Sequence, residues 1–199
     1  PAREVLLQYD IEDPYLYVPN HLWAHKNHGL IISALEIFHR NGQCPIVIST
    51  GQTQDTRNPG HFPFLKGFVA NKGLEDRFRF LGLVPFEHVA VLMRESIALI
   101  NPSRFEGWST TVEEAKSLGK QILLSDIAVH KEQAPPHGAY FDCDAPEDLA
   151  ELMLQTLDSY DAQMDKVNMT EAAICLQERM KEYAMAYEEI MLEIVHSGN

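Results

Sequence analysis

The sequence predicts an α/β protein, a doubly wound parallel sheet of about six strands with helices on both faces, followed by a long C-terminal helix. Three observations support this. Short apolar runs rich in β-branched residues alternate with stretches of helical periodicity from Tyr15 to Asp158, as helix-connected parallel strands require. Turn residues fall between successive runs, among them Gly51, Gly60, Gly73 and Gly119. After Asp161 the alternation stops, and apolar residues recur mostly three and four apart through Leu176, Met180, Tyr183, Tyr187, Ile190, Met191 and Ile194, the pattern of one helix with one apolar face.

The elements follow in order. Residues 1–12 form a linker or short helix, 13–160 the α/β domain and 161–199 a helical tail. Tyr15-Leu-Tyr-Val-Pro-Asn20 is the first strand, closed by Pro19, which cannot donate to a ladder. A turn from His21 to His28 leads into a helix with Leu30, Ile31, Ala34, Leu35 and Phe38 on one face, ended at Asn41-Gly42. Pro45 to Thr50 is the second strand, and the polar loop from Gly51 to Gly60 precedes a helix carrying Leu65, Phe68 and Val69. Arg77 to Leu83 is the third strand, Phe86 to Glu95 a helix and Ile97 to Ile100 the fourth strand. A helix ending at Gly119, a strand from Gln121 to Ser125, a short helix from His130 to Ala134, a strand from Ala139 to Phe141 and a helix from Pro146 to Asp158 complete the domain. In such a sheet ligands bind outside the carboxyl ends of the strands.

One turn at that edge is chemically distinctive. In Asn101-Pro-Ser-Arg-Phe-Glu106-Gly-Trp-Ser-Thr-Thr-Val-Glu-Glu114-Ala an apolar strand ends, a polar turn follows and a helix starts. Thr110 or Thr111 is expected to cap this helix, whose first turn is acidic. The unpaired N–H groups of a helix start, with the helix dipole behind them, form an anion site suited to phosphate. Glu106 precedes the turn and Glu114 lies inside the helix, with seven residues between them. Two acceptors on one ligand suit hydroxyl groups.

Phe105-Glu106-Gly107-Trp108 with Glu114-Ala115 and Gly119 resembles the E-x7-E motif of retaining GT-B glycosyltransferases, family 4 or group 1. Gly82-Leu-Val-Pro, Asn101-Pro-Ser, the run from Gly119 to Asp126, His130-Lys-Glu132 and the run from Tyr140 to Leu149 keep that family's order. The likeness extends from about Tyr15 to about Leu154 and covers the second, donor-binding half of such an enzyme. It implies a Rossmann-like domain that is the C-terminal half of a GT-B fold. It implies that Glu106 is catalytic beside the donor sugar, that Glu114 holds the ribose, that the amides of Ser109, Thr110 and Thr111 hold the diphosphate, and that Gly107 and Trp108 belong to the same donor-binding turn. Gly82 and Val84 match the position where backbone groups meet the base. Lys26 matches a diphosphate lysine, whereas the family's usual arginine five residues earlier is His21 here, a cation only when protonated. The donor implied is a nucleoside-diphosphate sugar, used without cofactor or metal in polysaccharide or glycolipid synthesis. The first, acceptor-binding half has no counterpart, so this chain alone is expected to be inactive.

Other polar groups give weaker signals. Trp108 reads equally as a platform beside the sugar and as a core residue of the turn. His25 and His28 read as solvated or capping. With His21 they have a spacing that an uninterrupted helix would align on zinc, but Pro19 and the turn oppose such a helix. Asp142-Cys-Asp144 reads as an acidic turn before a helix rather than a metal site. A dinucleotide-dependent oxidoreductase would need G-x-G-x-x-G after the first strand, and none of the 11 glycines supplies it. A nucleotide-binding module of the same fold without transfer activity remains the alternative reading.

The net charge is −13. From Asp142 onward there are 14 acidic and three basic residues, a net −11, which leaves −2 for the segment with the candidate site. Neither nucleic acid nor anionic lipid suits such a surface. Three widely spaced cysteines, Cys44, Cys143 and Cys175, fit a reducing compartment. With no apolar run near ~18 residues and no signal peptide, a cytoplasmic location is expected. Pro1 in place of an initiator methionine suggests a fragment of a longer chain. Membrane contact is expected only through the missing half, and the apolar stripe of the tail suggests a dimer.

Overall fold

The computed structural model describes residues 2–40 and 44–197. The expected helix break at Asn41-Gly42 lies outside them. The first helix, α1 (Ala2–Gln8), precedes a regular alternation: β1 (Tyr15–Val18), α2 (His28–Arg40), β2 (Ile46–Thr50), α3 (His61–Asn71), β3 (Phe78–Gly82), α4 (Phe86–Glu95), β4 (Ala98–Asn101), α5 (Thr110–Leu118), β5 (Ile122–Ser125), α6 (Ala128–Gln133), β6 (Gly138–Phe141) and α7 (Pro146–Ser159). The tail is one helix, α8 (Ala162–Ser197). No helix among the described residues is long and apolar enough to cross a membrane.

The six strands form one parallel sheet in the order β3-β2-β1-β4-β5-β6. Strands buried on both faces read as continuous apolar runs, and β1 is buried at all four positions. Its side chains alternate between two cores. Leu16 and Val18 join the cluster built with α2, α3 and α7, whereas Tyr15 and Tyr17 join the cluster built with α4 and α5. Both phenols find partners, Tyr15 donating to the Leu92 carbonyl at 2.8 Å and Tyr17 lying 2.6 Å from the Thr50 hydroxyl.

The order reverses between β1 and β4, where chain continuity sends the loop after β1 to one side and the loop after β4 to the other. In sheets of this topology the carboxyl edge at such a reversal is where ligands bind. The loop after β1 is zipped to the loop after β2: the Leu22 amide donates to the Gln52 carbonyl at 2.9 Å, and the Gln52 amide donates to Nδ1 of His21 at 3.0 Å. This close approach requires Gly51, whose φ is +139° and whose hypothetical Cβ would meet the Asn20 carbonyl oxygen at 2.5 Å.

The tail helix is fastened over its first half, as far as Arg179, which donates to the Ser117 hydroxyl at 3.5 Å. Lys120 has a side chain with 0% exposure and donates to the Ser96 carbonyl at 2.6 Å, the Arg94 carbonyl at 3.2 Å and Oδ2 of Asp165 at 2.7 Å. Gly119, at φ +65°, closes α5 in a left-handed cap and packs against the Asn168 backbone. Further along, Met180, Tyr183, Tyr187, Ile190, Met191 and Ile194 are exposed, so the stripe expected from the sequence faces outward.

Candidate functional site

The turn between β4 and α5 meets the loop after β1 at the reversal point. Lys26, in a short 3-10 turn (Ala24–Lys26), places its ammonium 2.5 Å from Oε1 of Glu106. The same oxygen accepts from the Ser103 hydroxyl at 2.7 Å. The Glu106 side chain is only 9% exposed, so it is held firmly among these partners.

A polar lattice positions it. Asn101 Oδ1 accepts from Nδ2 of Asn20 at 2.8 Å and lies 2.7 Å from the Ser103 hydroxyl, whose single proton is shared between it and Glu106, while Asn101 Nδ2 donates to the Ser109 hydroxyl at 2.9 Å. Gln133 accepts from the Ser109 amide at 3.3 Å and donates to the Ser109 carbonyl at 2.8 Å and to Glu113 Oε1 at 2.9 Å. Ser125 donates to the Ser103 carbonyl. His130 is wholly buried, its Nδ1 lying 2.9 Å from the Ser125 carbonyl, to which it donates, and 3.2 Å from the Ser125 hydroxyl. A buried network of this kind fixes side-chain positions, although Nε2 of His130 is buried in it with no partner among the described residues.

The helix cap differs from the expected one. Ser109, not Thr110 or Thr111, occupies the N-cap, and no side chain closes it. The reason is competition: the Ser109 hydroxyl is taken by Asn101, and the Thr111 hydroxyl is turned inward to Asn20 Oδ1 at 3.3 Å. The first-turn N–H groups of Thr110, Thr111 and Val112 have no intrahelical acceptor. That leaves a helix start open to an anion.

The remaining predicted residues distribute around this centre. Glu114 is half-buried in α5, and burial raises its carboxyl above the usual carboxylate value. It makes no hydrogen bond or ion pair among the described residues. With Phe86, Val89, Met93, Thr110 and Leu118 it lines an apolar groove of about 370 Å³. Gly107 and Trp108 are exposed, Trp108 by 53%, which removes the core reading of this indole. Gly82, at φ +70°, and Val84 end β3 beside the loops after β1 and β2, with the Gly82 carbonyl accepting from the Gly51 amide at 2.8 Å. His21 accepts a backbone N–H, and burial followed by the Lys26 charge holds its imidazole below the ordinary value. Its task in the fold is to join two loops.

His28, expected at the surface or in a cap, is wholly buried at the start of α2. It faces the core because helix α2 begins one residue after the left-handed Asn27, which turns the chain inward. Asp142-Cys-Asp144 is a turn, with the Asp144 amide donating to Asp142 Oδ1 at 2.8 Å. The two exposed carboxylates and the half-buried Cys143 thiol converge within 4.8 Å, and Asp144 is paired to Arg104. Sequence reasoning missed Asn20, Asn101, Ser103, Ser125 and Gln133, since lone polar residues spread along a chain carry no periodic signal.

The buried histidines make stability pH-dependent. Burial, then the charges of His61 and Lys26, push His28 down to about 3, and burial also lowers His21, His25, His61 and His130. A histidine depressed in the folded state takes up protons mainly on unfolding, so its stabilising contribution is complete above about pH 6.5 and is lost as pH falls toward 3. By pH 4 the loss from His28 alone is expected to reach roughly 3 kcal/mol. Denaturant midpoints measured from pH 7 to 4 should fall, and His28→Phe should flatten the curve. A midpoint constant down to pH 5 in the unsubstituted chain would contradict this.

Residues 7–174 match the sequence model of the glycosyl transferases group 1. The chain belongs to that family. A stretch of 75 residues is 36% identical to the serotype-specific mannosyltransferase WbdA of Escherichia coli, covering 38% of this chain and 9% of that protein. Among solved structures, a glycosyltransferase from Rickettsia africae superposes with a TM-score of 0.79 at 17% identity, over 96% of this chain and 52% of that one. HepE of Anabaena in complex with UDP gives 0.74 at 16%, over 93% and 52%. Sucrose-phosphate synthase from Thermosynechococcus elongatus gives 0.74 at 17%, over 96% and 49%. This group 1 transferase chain thus spans about half the length of its structural neighbours, and its fold is theirs, the Rossmann-like unit that the resemblance implied. HepE is also known with UDP and glucose and with UDP-glucose.

Proposed function

We propose that this chain is the donor-binding domain of a glycosyltransferase that moves a sugar from a nucleoside-diphosphate sugar to an acceptor with retention, in polysaccharide or glycolipid synthesis in the cytoplasm. The observation that carries this reading is convergence: Glu106, Lys26 and the open first turn of α5 meet at the strand-order reversal. Lys26 and the free amides would take the diphosphate, and Glu106 would face the sugar. Glu114, half-buried beside an apolar groove and without a hydrogen-bond partner among the described residues, would take the ribose hydroxyls. Stabilising the charge that develops on the leaving diphosphate is the main catalytic help such an arrangement offers. The amides and Lys26 supply it without metal.

Half the length of the neighbours is present, so an acceptor-binding partner domain completes the enzyme in this reading, and the isolated chain binds donor without transferring sugar. The outward stripe of α8 would then meet that domain or a second copy.

The test is titration calorimetry of this chain with UDP, GDP, ADP and their sugar conjugates. Binding of at least one diphosphate is expected. Lys26→Ala should weaken the diphosphate by roughly 1.5–3 kcal/mol, as loss of a charged hydrogen bond does, and leave the nucleoside little changed. No binding at millimolar concentration, or equal losses for both ligands, would refute the assignment.

A further inference from the structure

The cations at the carboxyl edge are mostly spent on neighbouring acids. Lys26 is compensated by Glu106 at 2.5 Å, and Arg104 is paired with Asp144. His21 is occupied as an acceptor. A diphosphate with more than one negative charge is poorly neutralised by one lysine that already has a carboxylate partner.

Arg57, in the loop after β2, is also ion-paired, with Asp55, but through its Nε alone. Its Nε lies 3.2 Å from Asp55 Oδ1, and its guanidinium carbon lies 5.2 Å from the Trp23 ring centroid. Trp23 is itself held, donating from Nε1 to the Gln54 carbonyl at 3.3 Å and packing between His21 at 4.8 Å and His25 at 5.8 Å. A guanidinium gripped by its face and its Nε edge loses little further freedom on binding, and its two terminal amino groups make no hydrogen bond among the described residues. Its side chain is 68% exposed. Trp23, which Arg57 covers, packs beside His25 and accepts the Lys26 amide at its carbonyl at 3.0 Å, so one short turn carries both cations.

We propose that Arg57 is a second phosphate-binding cation of the donor site, presented by Trp23 and Asp55 to the same diphosphate that Lys26 meets. This rests on the donor-site reading above. It assigns to the loop after β2 the charge that His21 does not carry, and makes Trp23 a positioning residue.

The experiment compares diphosphate with nucleoside affinity for the unsubstituted chain, Arg57→Ala, Arg57→Lys and Trp23→Leu. Arg57→Ala should weaken the diphosphate about tenfold, with the nucleoside unchanged. Arg57→Lys should recover part of the loss, since an ammonium keeps the charge without the fork. Trp23→Leu should reproduce the diphosphate-selective loss, and raised salt should narrow the gap between the chain and Arg57→Ala. If the unsubstituted chain binds no nucleotide, both the donor reading and this assignment fall. If it binds diphosphate but Arg57→Ala binds equally well, or loses nucleoside in proportion, only the Arg57 assignment falls. An unchanged melting temperature for Arg57→Ala keeps either result interpretable.

Discussion

In the enzyme proposed above, completed by an acceptor-binding domain, Glu106→Gln is expected to lower turnover by about a hundredfold or more, the scale of losing one group that acts mainly in the transition state. Glutamine keeps the shape of the side chain but not its charge. Ser103 can still donate to its oxygen, while the Lys26 ammonium loses the carboxylate now 2.5 Å away. Freed from that partner, Lys26 should hold a diphosphate as well as before or better, so the donor constant should stay level or fall as turnover drops. Glu114→Gln should behave oppositely, raising the donor constant with turnover nearly kept, because a ribose contact is the same before and during the reaction. Steady-state kinetics of both variants separate the roles. If both change only the donor constant, Glu106 is a binding residue and the catalytic assignment fails.

Lys120→Ala is expected to destabilise the fold by about 3–5 kcal/mol, the usual result of removing one partner of a buried ion pair. Burial lowers the Lys120 ammonium from its ordinary value, with Asp165 pulling it back. Without it, the Ser96 and Arg94 carbonyls and the Asp165 carboxylate lose their shared donor together. The damage should be greatest at the start of α8, where amide hydrogen exchange should rise before the sheet opens. Adding Asp165→Asn should recover part of the loss, because the unpaired charge then goes too. A loss below about 1 kcal/mol by denaturant titration would show that the pair contributes nothing net.

How much of this was legible in the sequence follows from physical range. Strands and helices announced themselves because apolar periodicity is local: β1 through β6 each fall within a residue or two of the expected run. Glu106, Glu114 and Lys26 stood out because their spacing carried the resemblance, and the structure brings Lys26 onto Glu106 while Glu114 lines the groove beside α4. What could not be read was pairing across the sheet. Asn20 meets Asn101 over 81 positions, and Lys120 meets Asp165 over 45. Nothing local marks that lysine as buried. The helix cap failed for the same reason, since a distant asparagine competes for the serine hydroxyl.

The seam between β1 and β4 also has a kinetic consequence. Lys26 and Glu106 are 80 residues apart, and closing a loop of that length costs about 4 kcal/mol of chain entropy before the contact returns anything. Neighbouring βαβ units can collapse first, so the seam is among the last features to form on refolding and among the first to open. A molecule bridging Lys26 and Glu106 would therefore act on the unfolding limb of a chevron, slowing escape from the native state and leaving the refolding rate almost untouched.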